Sequence, residues 1–302
     1  MEKTIIERYW NGGCLKDHEK IRPVYDRIKS DIAEGLVFPA LRENEIHLYH
    51  EGGRAFQIKP KSAYTAHKSK SVARKASLPE LTPELYADIK NRCKEHNCGR
   101  RKTGERQEGW IVARLFRRFS YWSRYAERQQ PKLIDVEVNF RGKKIDLLFL
   151  EDDGRLRFVE VKRQYDPRIR SSGSDPEVVC QIRGYQDVLK DGRNHITHVY
   201  AADVPKVLAK ALELEPFSEP TGVCPRVPIL VCRKDAKEGR DTWLRDELRT
   251  CQNDEIGDHL VVDGGSVETG SYWAGHPSWC PDGRWERLNL REVFRKIDER
   301  SG

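Results

Sequence analysis

Asp146, Glu160 and Lys162 stand where a strand should carry apolar side chains. They belong to the run Ile145-Asp-Leu-Leu-Phe-Leu-Glu-Asp-Asp-Gly-Arg-Leu-Arg-Phe-Val-Glu-Val-Lys162, two apolar segments joined by an acidic turn. Alternation puts Glu160 and Lys162 on one face of the second segment and Val159 and Val161 on the other. Folded symmetrically about Asp153, the hairpin sets Asp146 directly across from Glu160, and opposed cross-strand residues bring their Cβ atoms within about 5.5 Å. Two carboxylates at that distance repel unless positive charge lies between them. A hard divalent cation fits, because such ions take carboxylate oxygens. A plainer alternative is a salt-bridged hairpin in which Lys162 neutralises both acids.

The neighbouring elements decide what else reaches this patch. A helix is expected over 107–128, with Val112, Leu115, Phe119, Trp122 and Ala126 as its apolar stripe. One turn back along that stripe lies Glu108, either an inward carboxylate or a first-turn acid favoured by the helix dipole. The opposite face holds Arg114, Arg117, Arg118, Arg124 and Arg128, suited to phosphates. Residues 133–140 alternate, with Ile134, Val136, Val138 and Phe140 inward and Asp135, Glu137 and Asn139 outward, as in an antiparallel strand with one wet face. After the hairpin comes a polar loop, 163–174, with Arg163, Arg168 and Arg170, either phosphate clamps or simply solvated loop arginines. Asp175-Pro176-Glu177 then starts a helix over 176–190 that carries Gln181 and Tyr185 on one face. A strand at 195–203, a helix at 204–214 and a strand at 227–233 complete this part of the chain.

Towards the N-terminus, residues 1–37 read as helical, with a stripe at Ile21, Val24, Tyr25, Ile28, Ile32 and Leu36. Residues 45–58 read as a hairpin turning at Gly52-Gly53, and 82–97 as a helix. Between them, 59–79 is basic, either a phosphate-tracking strand and loop or a solvated loop. The basic, Gly-containing stretch 98–107 is the best boundary. It divides the chain into a basic N-terminal α+β domain (1–104), a core (105–239) and a C-terminal extension packed on the core (240–302). In the last part a helix is expected near 240–251 and another at 289–298, with a Gly-, Trp- and Pro-rich stretch between.

The 302 residues carry a formal charge of +7, unevenly spread. Residues 1–132 hold 28 Lys/Arg against 17 Asp/Glu, and residues 133–302 hold 27 against 31. A basic front beside an acidic region suits a polyanionic partner. The N-terminus lacks the apolar core of a signal peptide, and no stretch has the length of a membrane span. The expectation is a cytoplasmic, non-membrane protein whose eight cysteines stay reduced.

From Glu108 onward the order is helix, three antiparallel strands, helix, strand. With Asp146, then Glu160-Val161-Lys162, then Gln181-Ile-Arg-Gly-Tyr185, this resembles the PD-(D/E)XK nuclease superfamily in its RecB-type branch. The resemblance covers roughly 105–235. Ile145 stands where the motif's proline would be. The resemblance implies an α/β fold with a restriction-endonuclease-like core, a mixed sheet flanked by helices. It implies a nuclease, an endonuclease more than an exonuclease, in bacterial defence, restriction or DNA repair, with DNA as partner. A homo-oligomer or a larger defence complex stays open. In that reading Asp146, Glu160, the Val161 carbonyl and Glu108 hold Mg2+ or Mn2+, which polarises the phosphoryl oxygen and acidifies a water. Lys162 orients that water and offsets developing charge, Gln181 orients the water or substrate, and Tyr185 contacts DNA, with Arg168, Arg170, Arg114 and Arg118 on phosphates. A catalytically idle nucleic-acid-binding subunit and a nuclease acting on RNA are the alternatives. Cys93, His96 and Cys98 with His276 and Cys280 are a further candidate metal set, against buried free thiols.

Overall fold

The computed structural model describes residues 6–65, 80–98, 108–126, 131–140, 142–163, 166–169, 176–233, 260–263, 277–279 and 286–287. By their contacts these fall into two units. The first comprises Met1–Arg128, Lys132–Asp135 and Asn194–Thr221; the second comprises Gln129–Pro131, Val136–Arg193 and Gly222–Gly302.

In the first unit, Ile28 and Ile32 seat α1 (Tyr25–Ala33) in the core, and Gly35 (φ 66°) ends it in left-handed backbone. Residues 6–24 hold only two 3-10 turns, so the helix expected over 1–37 is confined to its last third. Next in the chain is β1 (Val37–Arg42), outermost in an antiparallel sheet with β2 (Glu45–His50), β3 (Gly53–Lys59) and β4 (Ser62–Thr65). Pro39 hid β1 from the sequence pattern. Proline lacks a ladder donor and is tolerated on an edge strand. The β2–β3 turn is Glu51-Gly52, both at positive φ, and Gly53 already pairs with His50. It therefore sits one residue earlier than the expected Gly52-Gly53.

α2 (Pro83–Cys98) brings Tyr86 into a stack on Phe56, with ring centroids 5.2 Å apart. The Tyr86 hydroxyl donates to the buried Asp31 of α1 at 2.9 Å, and Lys90 pairs with the same carboxylate. α3 (Glu108–Phe119) stops well short of the expected 128. The Tyr121 amide donates to Leu133, and the Trp122 indole donates to the Glu215 carbonyl at 3.0 Å. Asp135, expected on a wet face, is buried. It accepts from Arg42 (2.9 Å) and the Tyr200 hydroxyl (2.6 Å), with Arg8 at 3.5 Å.

The second unit is organised on a mixed sheet. Its strands are β5 (Lys132–Phe140, of which Lys132–Asp135 belong to the first unit), β6 (Lys143–Leu150), β7 (Arg155–Arg163), β8 (Gly222–Val223), β9 (Ile229–Arg233), β10 (Leu260–Asp263), β11 (Pro277–Trp279) and β12 (Glu286–Arg287). The order is β12-β11-β10-β9-β7-β6-β5, with β8 paired to the start of β7. β7 runs antiparallel to β6 and parallel to β9, so it lies inside the sheet. Its residues 156–162 are all buried, which is why the segment is apolar on both faces apart from its few charges. The fold is thus α/β with a mixed sheet and helices. The described strands after 240 lengthen that same sheet.

After β7 the chain forms α4 (Glu177–His198), a π-helical turn at Val199–Asp203 and α5 (Val204–Leu212). The strand expected at 195–203 is therefore helical. Its run of Val, Tyr and Ala reads apolar under either period, and Pro205 is accommodated at the first turn of α5. Among the described residues no helix is long and apolar enough to cross a membrane. The helices expected near 240–251 and 289–298 lie outside the described residues.

Candidate active site

The hairpin β6–β7 pairs Leu147 with Val159 and Leu148 with Phe158. Continuing that register one step sets Asp146 across from Glu160. The ladder ends there in a different bond: the Val161 amide donates to Asp146 Oδ2 at 2.8 Å. Glu160 and Lys162 are 2% and 1% exposed. The Lys162 ammonium donates to Glu160 Oε1 and to the Val161 carbonyl at 3.2 Å. It therefore sits on two of the oxygens that a cation would use.

α4 supplies the other wall. Gln181 and Tyr185, one turn apart, share a face. The Gln181 amide nitrogen donates to Glu160 Oε1 at 2.9 Å and to the Tyr185 oxygen. The Tyr185 hydroxyl spends its single proton on the Lys144 carbonyl at 2.6 Å, so it must accept from Gln181. This chain of bonds fixes the orientation of the Gln181 amide. It leaves the amide oxygen, Oε1, buried with no partner among the described residues.

Electrostatics follow from the burial. The Asp146 carboxyl is pushed up to about 7, first by burial and then by the Glu160 charge, against Lys162 and the Val161 amide. Asp146 and Glu160 repel each other across the hairpin, and the charges of Lys162 and Lys144 offset that repulsion only in part.

Four expected residues, Asp146, Glu160, Lys162 and Gln181, are gathered at one place together with the Val161 carbonyl. Tyr185 belongs to the same network but is only 3% exposed, its hydroxyl committed to Lys144. Its hydroxyl lies inside the network, accepting from Gln181 and donating to the Lys144 carbonyl. Arg118 is likewise buried, its guanidinium 5.4 Å from the Phe119 ring centroid. It lies three residues past Leu115 and so joins the apolar side of α3 instead of the outer face. The Arg168 guanidinium forks onto the buried Asp166 at 2.9 and 2.6 Å, an acid that the expected phosphate clamp did not include. Glu108 is the first residue of α3, in the first unit; its side chain and those of Arg114 and Arg170 lie outside the described residues.

Sequence reasoning overlooked Lys144, whose carbonyl anchors Tyr185. Alternation, which places it with Asp146, was the signal that could have found it. Glu137, at φ 48°, departs from the strand pattern in a way no spacing foretold.

Among the described residues no group of three or more His, Cys, Asp or Glu side chains is arranged to hold a metal ion. The floor offers two carboxylates, a carbonyl and the Gln181 amide oxygen. All are hard oxygens, a set that suits Mg2+ or Mn2+ keeping several waters. The thiol–histidine set has another outcome at its one described member: the Cys93 thiol donates to the His50 carbonyl at 3.0 Å. Cys14, Cys93, Cys180 and Cys224 are free thiols. The remaining members, His96, Cys98, His276 and Cys280, have side chains outside the described residues. Comparison of the chain with family models, with curated proteins and with solved structures found no match.

Proposed function

We propose that the chain is a metal-dependent nuclease that hydrolyses phosphodiester bonds of DNA on a restriction-endonuclease-like core. The observation that carries this reading is the meeting of Asp146, Glu160, Lys162 and Gln181 from two strands and the following helix, in the order and spacing of the PD-(D/E)XK pattern. Asp146, Glu160 and the Val161 carbonyl would hold Mg2+ or Mn2+. Such an ion, when bound, polarises the phosphoryl oxygen and makes a water more acidic. Lys162 stands at the same oxygens, placed to hold the attacking water and to offset charge growing on the phosphate. Gln181 presents its unpartnered oxygen as an acceptor for that water, and Tyr185 keeps the amide from turning.

The test incubates the parent, Asp146→Asn and Lys162→Met with supercoiled plasmid, linear duplex, single-stranded DNA and RNA, in Mg2+, Mn2+ or EDTA. Circular dichroism confirms that each variant is folded. Cleavage of DNA is expected in the metals alone, and each variant should lose at least about 100-fold in rate. Undiminished cutting by both folded variants sinks the mechanism. A second reading, a non-cleaving nucleic-acid-binding subunit, is favoured by one observation: Lys162 already neutralises Glu160, and no third acid joins the pair among the described residues. That reading expects salt-sensitive binding with no cleavage in any metal.

A further inference from the structure

Lys144 precedes Asp146 by two residues on β6, so both side chains share one face of the strand. Its neighbour Lys143 is turned away and lays its ammonium on the Gly184 carbonyl at 2.8 Å. The Lys144 ammonium instead pairs with Glu137 at 2.9 Å, and the two side chains are 53% and 39% exposed. A pair so open to water holds weakly. It can exchange one anion for another at little cost. The backbone beneath is fixed, since the Lys144 carbonyl takes the Tyr185 hydroxyl. Glu137 is itself unusual, a non-glycine residue in left-handed backbone inside a strand. Such conformations cost free energy and gather at ligand-handling sites.

We infer that Lys144 binds a phosphate of the substrate beside the one that is cut, and that Glu137 is its resting partner, a carboxylate that competes with the phosphate for the same ammonium. This rests on the nuclease reading and names the chemistry at the rim of that site: a backbone phosphodiester oxyanion, taken by a charge-assisted hydrogen bond. The two residues then act in opposite directions, which a merely structural ion pair would not do.

The experiment measures binding of a labelled duplex oligonucleotide by anisotropy across a salt series, in Ca2+ and in EDTA, and steady-state cleavage in Mg2+. Lys144→Gln should weaken binding about three- to tenfold and lower the salt slope by about one. Its cleavage defect should fall on KM rather than kcat. Glu137→Gln should tighten binding by a similar factor. If both variants bind like the parent, or both weaken together with a lower Tm, the pair is structural and the inference is overturned. A parent that cuts DNA while both variants bind unchanged overturns this inference alone. A parent that binds no DNA overturns the nuclease reading and this inference with it.

Discussion

Asp146 concentrates the electrostatic strain of the site, and its sign can be worked out. Its folded carboxyl lies near 7, against an ordinary value of 3.8. Between those values the native protein binds more protons than the unfolded chain, so this group lowers stability as pH rises from about 4 to 7. In EDTA, Asp146→Asn removes the repulsion with Glu160 and keeps an acceptor for the Val161 amide. The Tm advantage of the variant over the parent should therefore widen from pH 4 to pH 7 and then level off. Thermal melts across that range check it; a gap as large at pH 4 as at pH 8 contradicts the raised carboxyl. Adding Mn2+ should raise the parent's Tm at pH 7 more than the variant's, because an ion bound only by the folded state stabilises it.

At the scale of elements, α4 carries a glycine in mid-helix, where Gly costs about 1 kcal/mol relative to Ala. The three atoms nearest to a Cβ at Gly184 would all belong to the Lys143 side chain, with Nζ at 2.6 Å and the carbons farther off. The end of a lysine moves aside easily, so Gly184→Ala should raise Tm by roughly 2 °C, following the helix gain. A fall in Tm would show instead that the Lys143 contact to the Gly184 carbonyl matters more than propensity. Elements with a clean period were legible in the sequence: the β6–β7 hairpin, its register through Asp146 and Glu160, and α2. Each element that escaped did so for a physical reason. β1 was masked by Pro39, which only an edge position tolerates. The end of α3 was set by contacts from Tyr121 and Trp122 to residues far along the chain. Asp135 looked solvent-facing by alternation, but Arg42 and Tyr200, brought by tertiary structure, make its burial possible. The floor was readable because it lies between Lys144 and Tyr185, within reach of local patterns.

For the whole molecule the chain's path matters more than its boundaries. The segment expected to be the core, 105–239, ends before β10 and so lacks strands of the sheet that carries the floor. It also takes α3, part of β5 and the 194–221 stretch away from the first unit. Expressed alone, that fragment should show no cooperative thermal transition, whereas the full chain should melt cooperatively; calorimetry separates the two. The chain passes from one unit to the other at 128, 131, 135, 193 and 221. The units are therefore not cassettes. A recombination event that exchanged the first unit for another's would have to replace three separate stretches of chain at once and preserve each junction, two of them inside a strand and a helix. Diversification by exchange of one unit is closed to such a chain, which leaves point substitution at exposed positions as its open route to change.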